Sequence, residues 1–172
     1  MQTRHLVGEK AKVDIKAVSR AIKQLEVENV FLLEAKIKSD PSTRSPRGVS
    51  LTYNFDVEIL KREKEKLQIA CHFTISAIRK DNPDNPLMNI EAKFAIEYFI
   101  QNPKKLKEND IDDFIKIDPV DTAWPYWREF VQNLTSRMGF PALTIPIIKF
   151  DFQNIERSPR RAISKKKVSK SD

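Results

Sequence analysis

Four stretches of this chain alternate apolar and polar side chains with period two, the spacing of a half-buried β-strand. In the first, Leu25, Val27, Phe31, Leu33, Ala35 and Ile37 share one face, and Glu26, Glu28, Glu34 and Lys36 share the other. Asn29 interrupts that apolar face, as at a bulge or an edge. The second is the cleanest, with Val49, Leu51, Tyr53, Phe55, Val57 and Ile59 set against Ser50, Thr52, Asn54, Asp56 and Glu58. The third places Leu67, Ile69, Cys71, Phe73 and Ile75 opposite Gln68, His72, Thr74 and Ser76. The fourth places Met88, Ile90, Ala92, Phe94, Ile96 and Tyr98 opposite Asn89, Glu91, Lys93 and Glu97.

The links between these stretches are short. Residues 39–48 are rich in Pro, Ser and Arg, Arg62–Lys66 reads as a charged hairpin turn, and Asn82-Pro83-Asp84-Asn85-Pro86 is a strong turn signal. Short links with one-sided alternation predict an antiparallel sheet with one covered face. A change to helical spacing comes next, because Trp124, Trp127, Val131, Leu134 and Met138 form one apolar stripe. Asp121 or Thr122 is a candidate N-cap, with Pro125 in the first turn, where a missing N–H costs nothing. Gly139 supplies a residue able to take positive φ at the end, and Pro141 stops the helix from resuming. Strands first and helices last make an α+β order. Two regions stay open on pattern alone. Residues 9–24 read as a helix or as the run-in to the first strand, and residues 104–117 as a short helix or a crossover loop.

Charge divides the chain. At 172 residues the length suits one domain, able to bury about two-thirds of its unfolded surface. The net charge is +7, yet residues 157–172 alone hold Arg157, Arg160, Arg161, Lys165, Lys166, Lys167 and Lys170 against Asp172. Residues 1–156 are left with 24 basic and 23 acidic residues, a balance of +1. The expected organisation is a globular unit over 1–156 and a Ser/Lys/Arg tail over 157–172 with too little to bury to fold. No apolar run is long enough to span a bilayer, and the first residues have no apolar signal region. A single cysteine, Cys71, excludes an internal disulfide and fits a reducing cytoplasm.

Catalytic chemistry has little to work with. His5 and His72 are the only groups that ordinarily titrate near neutrality, and Cys71 and His72, adjacent on a strand, point to opposite faces. No set of three or four zinc ligands clusters, and Gly8, Gly48 and Gly139 are too scattered to cradle a phosphate. Asp110, Asp112 and Asp113 read as solvated surface. The expectation is a protein that is not an enzyme and uses no cofactor or metal.

Residue order adds a resemblance. Pro125, Tyr126, Arg128 and Glu129, then Gly139, Phe140 and Pro141, then Pro146, Phe150 and Asp151 stand in the order and spacing of the C-terminal part of the SecB protein-export chaperones. Trp127 replaces a residue that is usually small in that family. The match covers about 28 residues closely. It extends weakly to Leu33-Glu34 and to Phe94-Ala95-Ile96-Glu97, while Asn102-Pro103 departs from the family's glycine. The resemblance implies a four-stranded antiparallel sheet with C-terminal helices on one face, assembled as a dimer of dimers. It also implies an acidic docking face for the export ATPase SecA, with Glu34 and Glu97 in matching positions.

The leading functional expectation is a cytoplasmic, homotetrameric chaperone that holds unfolded polypeptides, preproteins or one dedicated client, in an aromatic groove. Phe99, Trp124, Phe140, Phe150 and Phe152 are the candidates to line it. The pI near 9.5 is unlike an acidic export chaperone, so an antitoxin is an alternative client to SecA-bound preproteins. The other class is sequence-independent nucleic-acid binding through residues 157–172; the rest of the chain carries no reader motif.

Overall fold

The computed structural model describes residues 13–40, 49–79 and 86–148. Phe150, Phe152 and the basic segment 157–172 lie outside the described residues. The chain runs α1 (Ile15–Ile22), β1 (Leu25–Ser39), β2 (Val49–Arg62), β3 (Lys66–Arg79), β4 (Met88–Ile100), a 3₁₀ turn (Pro103–Lys105), α2 (Glu108–Phe114) and α3 (Asp118–Arg137). The strands form one antiparallel sheet in the order β1-β4-β3-β2. The two patterns left open thus become α1 and, between β4 and α3, a 3₁₀ turn with α2.

Register puts the alternating faces in line. Ile69 faces Ile96, Cys71 faces Phe94, and Phe73 faces Ala92, so the apolar residues of β3 and β4 share the helix-covered face. Val57 and Phe55 of β2 continue that row from Cys71 and Phe73. β1 departs from simple alternation. Register shifts between Val27 and Asn29, and between Leu32 and Glu34, insert Glu28 and Leu33 as extra residues. Each insertion flips the phase of the residues after it. The helix-side residues are therefore Leu25, Val27, Val30, Leu32, Ala35 and Ile37, and Phe31 stands on the other face opposite Ala95. The expected grouping of Phe31 and Leu33 with Leu25 is corrected. Both ends of the strand fit period two because two single-residue insertions restore the original phase.

α3 begins a turn earlier than the Pro125 signal predicts. Asp118 is its first residue, Pro119 occupies the opening turn, and Pro125 lies inside the helix. The Asp118 carboxylate accepts hydrogen bonds from the Thr122 hydroxyl at 3.4 Å and the Tyr98 hydroxyl at 3.2 Å, tying the added turn to the sheet. The other end matches its signals. Gly139 has φ 78°, its N–H reaches Ser136 O, and the Phe140 N–H reaches Thr135 O. Those two bonds make a Schellman motif.

The core lies between α3 and the two central strands. Trp127 stacks on Phe73 with centroids 5.5 Å apart, Trp124 meets the same ring edge-on at 5.7 Å, and Phe130 meets Phe94 at 6.1 Å. α2 adds Ile111 and Phe114, the latter edge-on to Tyr98 at 5.4 Å. α1 packs on α2 through Ala17, Val18 and Ala21. Asp110 is a correction to the solvated-surface expectation. It is wholly buried between these two helices, where Arg20 donates to its Oδ1 from Nη2 at 2.6 Å and from Nε at 3.0 Å.

Candidate functional site

One helix cannot cover four strands. An α-helix with its side chains is about 10–12 Å across, whereas strands lie about 4.8 Å apart. α3 therefore roofs β3 and β4 and leaves the helix-side residues of both edge strands only partly covered, with Val30 and Val57 still packed against the core. On β1, Val27, Leu32 and Ile37 remain 44%, 43% and 44% exposed. On β2, Phe55 and Ile59 remain 37% and 40% exposed. All but Leu32, which the bulges turn inward, are apolar positions by strand alternation, so the sequence pattern assigns them to a core. What the pattern lacks is the width of the roof. A surface helix flanked on both sides by half-exposed apolar strand faces presents two apolar margins.

The expected aromatic residues are distributed unevenly around this surface. Trp124 is largely buried against Phe73, and its indole N–H donates to Pro146 O at 3.0 Å. Phe140 is half-buried against the core at the other end of α3, about 20 Å away by helical rise. Between them the extended segment 141–148 runs antiparallel to the helix. Arg128 Nε donates to Ile145 O at 2.7 Å and the Leu143 N–H to Thr135 Oγ1 at 3.0 Å. Ile147, at 69%, is the most exposed apolar side chain of this segment. Phe99 is not in their company. Strand alternation between Tyr98 and Ile100, which both face the helices, places it on the open face opposite Glu26 and Lys66. Phe150 and Phe152 lie outside the described residues.

The open face is polar and holds both acidic candidates. Glu34 stands opposite Lys93 and pairs with Lys36 at 3.0 Å. That hydrogen-bonded lysine holds its carboxyl below the ordinary range. Glu97, about 14 Å further along the sheet by strand rise, accepts a hydrogen bond from Gln68 Nε2 at 3.2 Å. Across the middle of the face, Glu34, Lys93, His72 and Asp56 form one row spanning all four strands. Glu58 pairs with Lys93, and Glu91 lies 3.9 Å from His72 Nε2. The backbone of this row floors a shallow depression of about 190 Å³.

The remaining titratable groups are structural. Burial pushes the Cys71 thiol up to about 12, so it is a small apolar core residue at neutral pH. Burial also raises the Asp118 carboxyl and the Tyr98 phenol that donates to it. Among the described residues no group of three or more His, Cys, Asp and Glu is placed to hold a metal, and no helix is long and apolar enough to cross a membrane.

A sheet with apolar margins beside its roofing helix and a charged back defines a fold with two contrasting binding surfaces. A family model described as preprotein translocase subunit SecB matches residues 21–157, which include the whole described sheet and both C-terminal helices. The chain belongs to the SecB family. It is 27% identical over 135 residues to the protein-export protein SecB of Wolbachia sp. subsp. Drosophila simulans (strain wRi), spanning 76% of this chain and 81% of that relative. The protein of the same description from Wolbachia pipientis wMel matches at the same identity and coverage. Among solved structures, the SecB-like chaperone of Mycobacterium tuberculosis, in complex with a ChAD peptide from the HigA1 antitoxin, shares the fold. Its TM-score is 0.68 at 15% identity, covering 79% of this chain and 99% of that one.

Proposed function

We propose that this protein is a chaperone that binds unfolded polypeptides along the apolar margins beside α3 and keeps them soluble, without catalysis. The observation that carries the reading is the set of helix-side apolar residues left exposed on β1 and β2: Val27, Leu32, Ile37, Phe55 and Ile59. Burying one client side chain of this kind yields about 1.5–3 kcal/mol, and a micromolar complex needs about 8 kcal/mol. A client that fills several positions at once reaches that figure. Only an unfolded chain presents so many apolar groups in an extended row, and contact of this kind is non-directional. Many sequences therefore fit. Phe140 extends the surface at the far end of α3, Trp124 supports it from beneath because it is buried against Phe73, and Phe150 and Phe152 remain candidates for it. The proposed setting is the cytoplasm, and the proposed assembly is a dimer of dimers.

For the partner, the family offers two variants. Delivery of preproteins to SecA would use Glu34 and Glu97 on the open face. Service to a single client would dispense with that docking. The antitoxin peptide bound to the mycobacterial neighbour favours the second variant, as does the Lys36 that already pairs with Glu34. The first test is light scattering of an unfolded client during dilution from denaturant. Suppression of aggregation near one protein assembly per client supports the reading, and unchanged scattering at excess protein rejects it. Capture of purified SecA, measured against capture of a purified antitoxin, separates the variants.

A further inference from the structure

We propose that the open face of the sheet is a docking site for this chain's own lysine-rich segment, residues 157–172. The reading stands independently of how clients are bound on the helix side. The depression at the centre of the face is lined by four carboxylates, Glu34, Asp56, Glu58 and Glu91, and by only two lysines. Lys36 is engaged with Glu34 and Lys93 with Glu58. Asp56 has no ion-pair partner among the described residues, and Glu91, opposite Lys36 in register, accepts a hydrogen bond from Asn89 Nδ2 at 2.8 Å and lies 3.9 Å from His72. Further along, Glu97 accepts only a side-chain amide, from Gln68. The face is an unpartnered sheet surface with uncompensated negative charge at its middle. Its apolar residues, Phe31 and Phe99 with Ala95 and Ala70, lie toward one end of the sheet, and the complement of its charged middle is a cationic segment that pairs ion by ion.

The chain supplies one such segment and only one. Residues 157–172 carry a balance of +6, against +1 for everything before them. The described structure ends at Ile148 on the helix side, where Trp124 and Arg128 hold Pro146 and Ile145 next to β3. The 17 residues from 149 to 165 reach up to about 55 Å when extended. A sheet layer is about 10 Å deep and its strands about 4.8 Å apart. Ample length therefore remains to pass around the free edge at β2 and bring Lys165, Lys166 and Lys167 to Asp56 and Glu58. Bound there, the segment competes with any other cationic ligand for this face, and salt releases it because exposed pairs are screened.

The test is zero-length carbodiimide cross-linking of the full chain, mapped by mass spectrometry on an equal mixture of isotopically light and heavy protein. The expected result is same-isotope links from Lys165, Lys166, Lys167 or Lys170 to Asp56, Glu58 and Glu91. They should outnumber links to Glu63, Asp112, Asp121 and Glu129, which are comparably accessible or nearly so but lie elsewhere. They should fade as salt rises from about 0.01 M to about 1 M, where the screening length falls from about 30 Å to about 3 Å. In the Asp56→Asn/Glu91→Gln variant, links to Glu58 should fall several-fold while circular dichroism is unchanged. Links spread evenly over surface carboxylates, or formed only between light and heavy chains, would overturn the proposal. So would an added lysine-rich peptide of unrelated order that links to Asp56 and Glu91 while the chain's own lysines do not, because the face would then belong to an external partner.

Discussion

The Tyr98 hydroxyl donates a 3.2 Å hydrogen bond to the Asp118 carboxylate, joining the end of β4 to the first turn of α3. That turn exists beyond the Pro125 signal because of this tie. Removing the hydroxyl in Tyr98→Phe leaves a half-buried carboxylate with Thr122 as its remaining side-chain donor. Hydrogen bonds to charged groups contribute about 1.5–3 kcal/mol. Urea unfolding should show a loss of that order, with hydrogen exchange accelerated first at residues 118–122.

Asp118 also gives the stability a pH dependence of defined sign. Burial raises its folded value above the ordinary aspartate value of about 3.9. Its contribution to stability is complete below that ordinary value and is lost as the pH rises through the raised one. Asp118→Asn keeps an acceptor for Tyr98 and cannot ionise. The variant should gain stability relative to the native chain as the pH rises from acid toward neutrality, in paired urea titrations. A constant difference across that range would contradict the assignment.

The Arg20–Asp110 pair has the opposite sign. The hydrogen bond from Arg20, more than any other contact, holds the buried Asp110 carboxyl below its usual range. This contribution is present above the ordinary aspartate value and is lost as pH falls through the depressed one. Arg20→Gln should lower the melting temperature at neutral pH, and the deficit should shrink in acid. Because α1 packs on α2 at this pair, limited proteolysis should cut the variant first in α1.

Cys71 is sealed and its thiol is pushed up to about 12. Ellman's reagent should leave the native protein unmodified and react stoichiometrically in denaturant. The rate under native conditions should track opening of the α3 roof.

Gly139 at φ 78° closes α3 and launches the 141–148 segment. Gly139→Ala puts a Cβ into the left-handed region at a cost of about 1–2 kcal/mol. Differential scanning calorimetry should report that loss, and Trp124 fluorescence should report looser packing of Pro146 over the indole.

Much of this architecture was legible in the residues because each strand buries one face only. Alternation located all four strands, and the Gly139-Phe140-Pro141 sequence located the end of α3. Two things escaped for physical reasons. Asn29 marked the first bulge of β1, but the second, at Leu33, changes the phase of the strand with no glycine, proline or polar break to mark it. The start of α3 was masked by Pro125, a proline tolerated inside a helix because the turn before it is anchored through Asp118. The site was less legible than the fold. Alternation counts Ile37 and Phe55 as core like any other inward residue. Their exposure depends on how many strands one helix can roof, which is a tertiary quantity. The same alternation, applied to Tyr98 and Ile100, separates Phe99 from Trp124.

The most direct measurement is site-specific photo-cross-linking to an unfolded client. A photoreactive phenylalanine at position 32 or 55, on the helix-side margins, should capture client efficiently. The same residue at Thr74, on the open face of β3, should capture little. Capture equal at all three positions, or absent at 32 and 55 while the client remains bound, would contradict binding along the margins of α3.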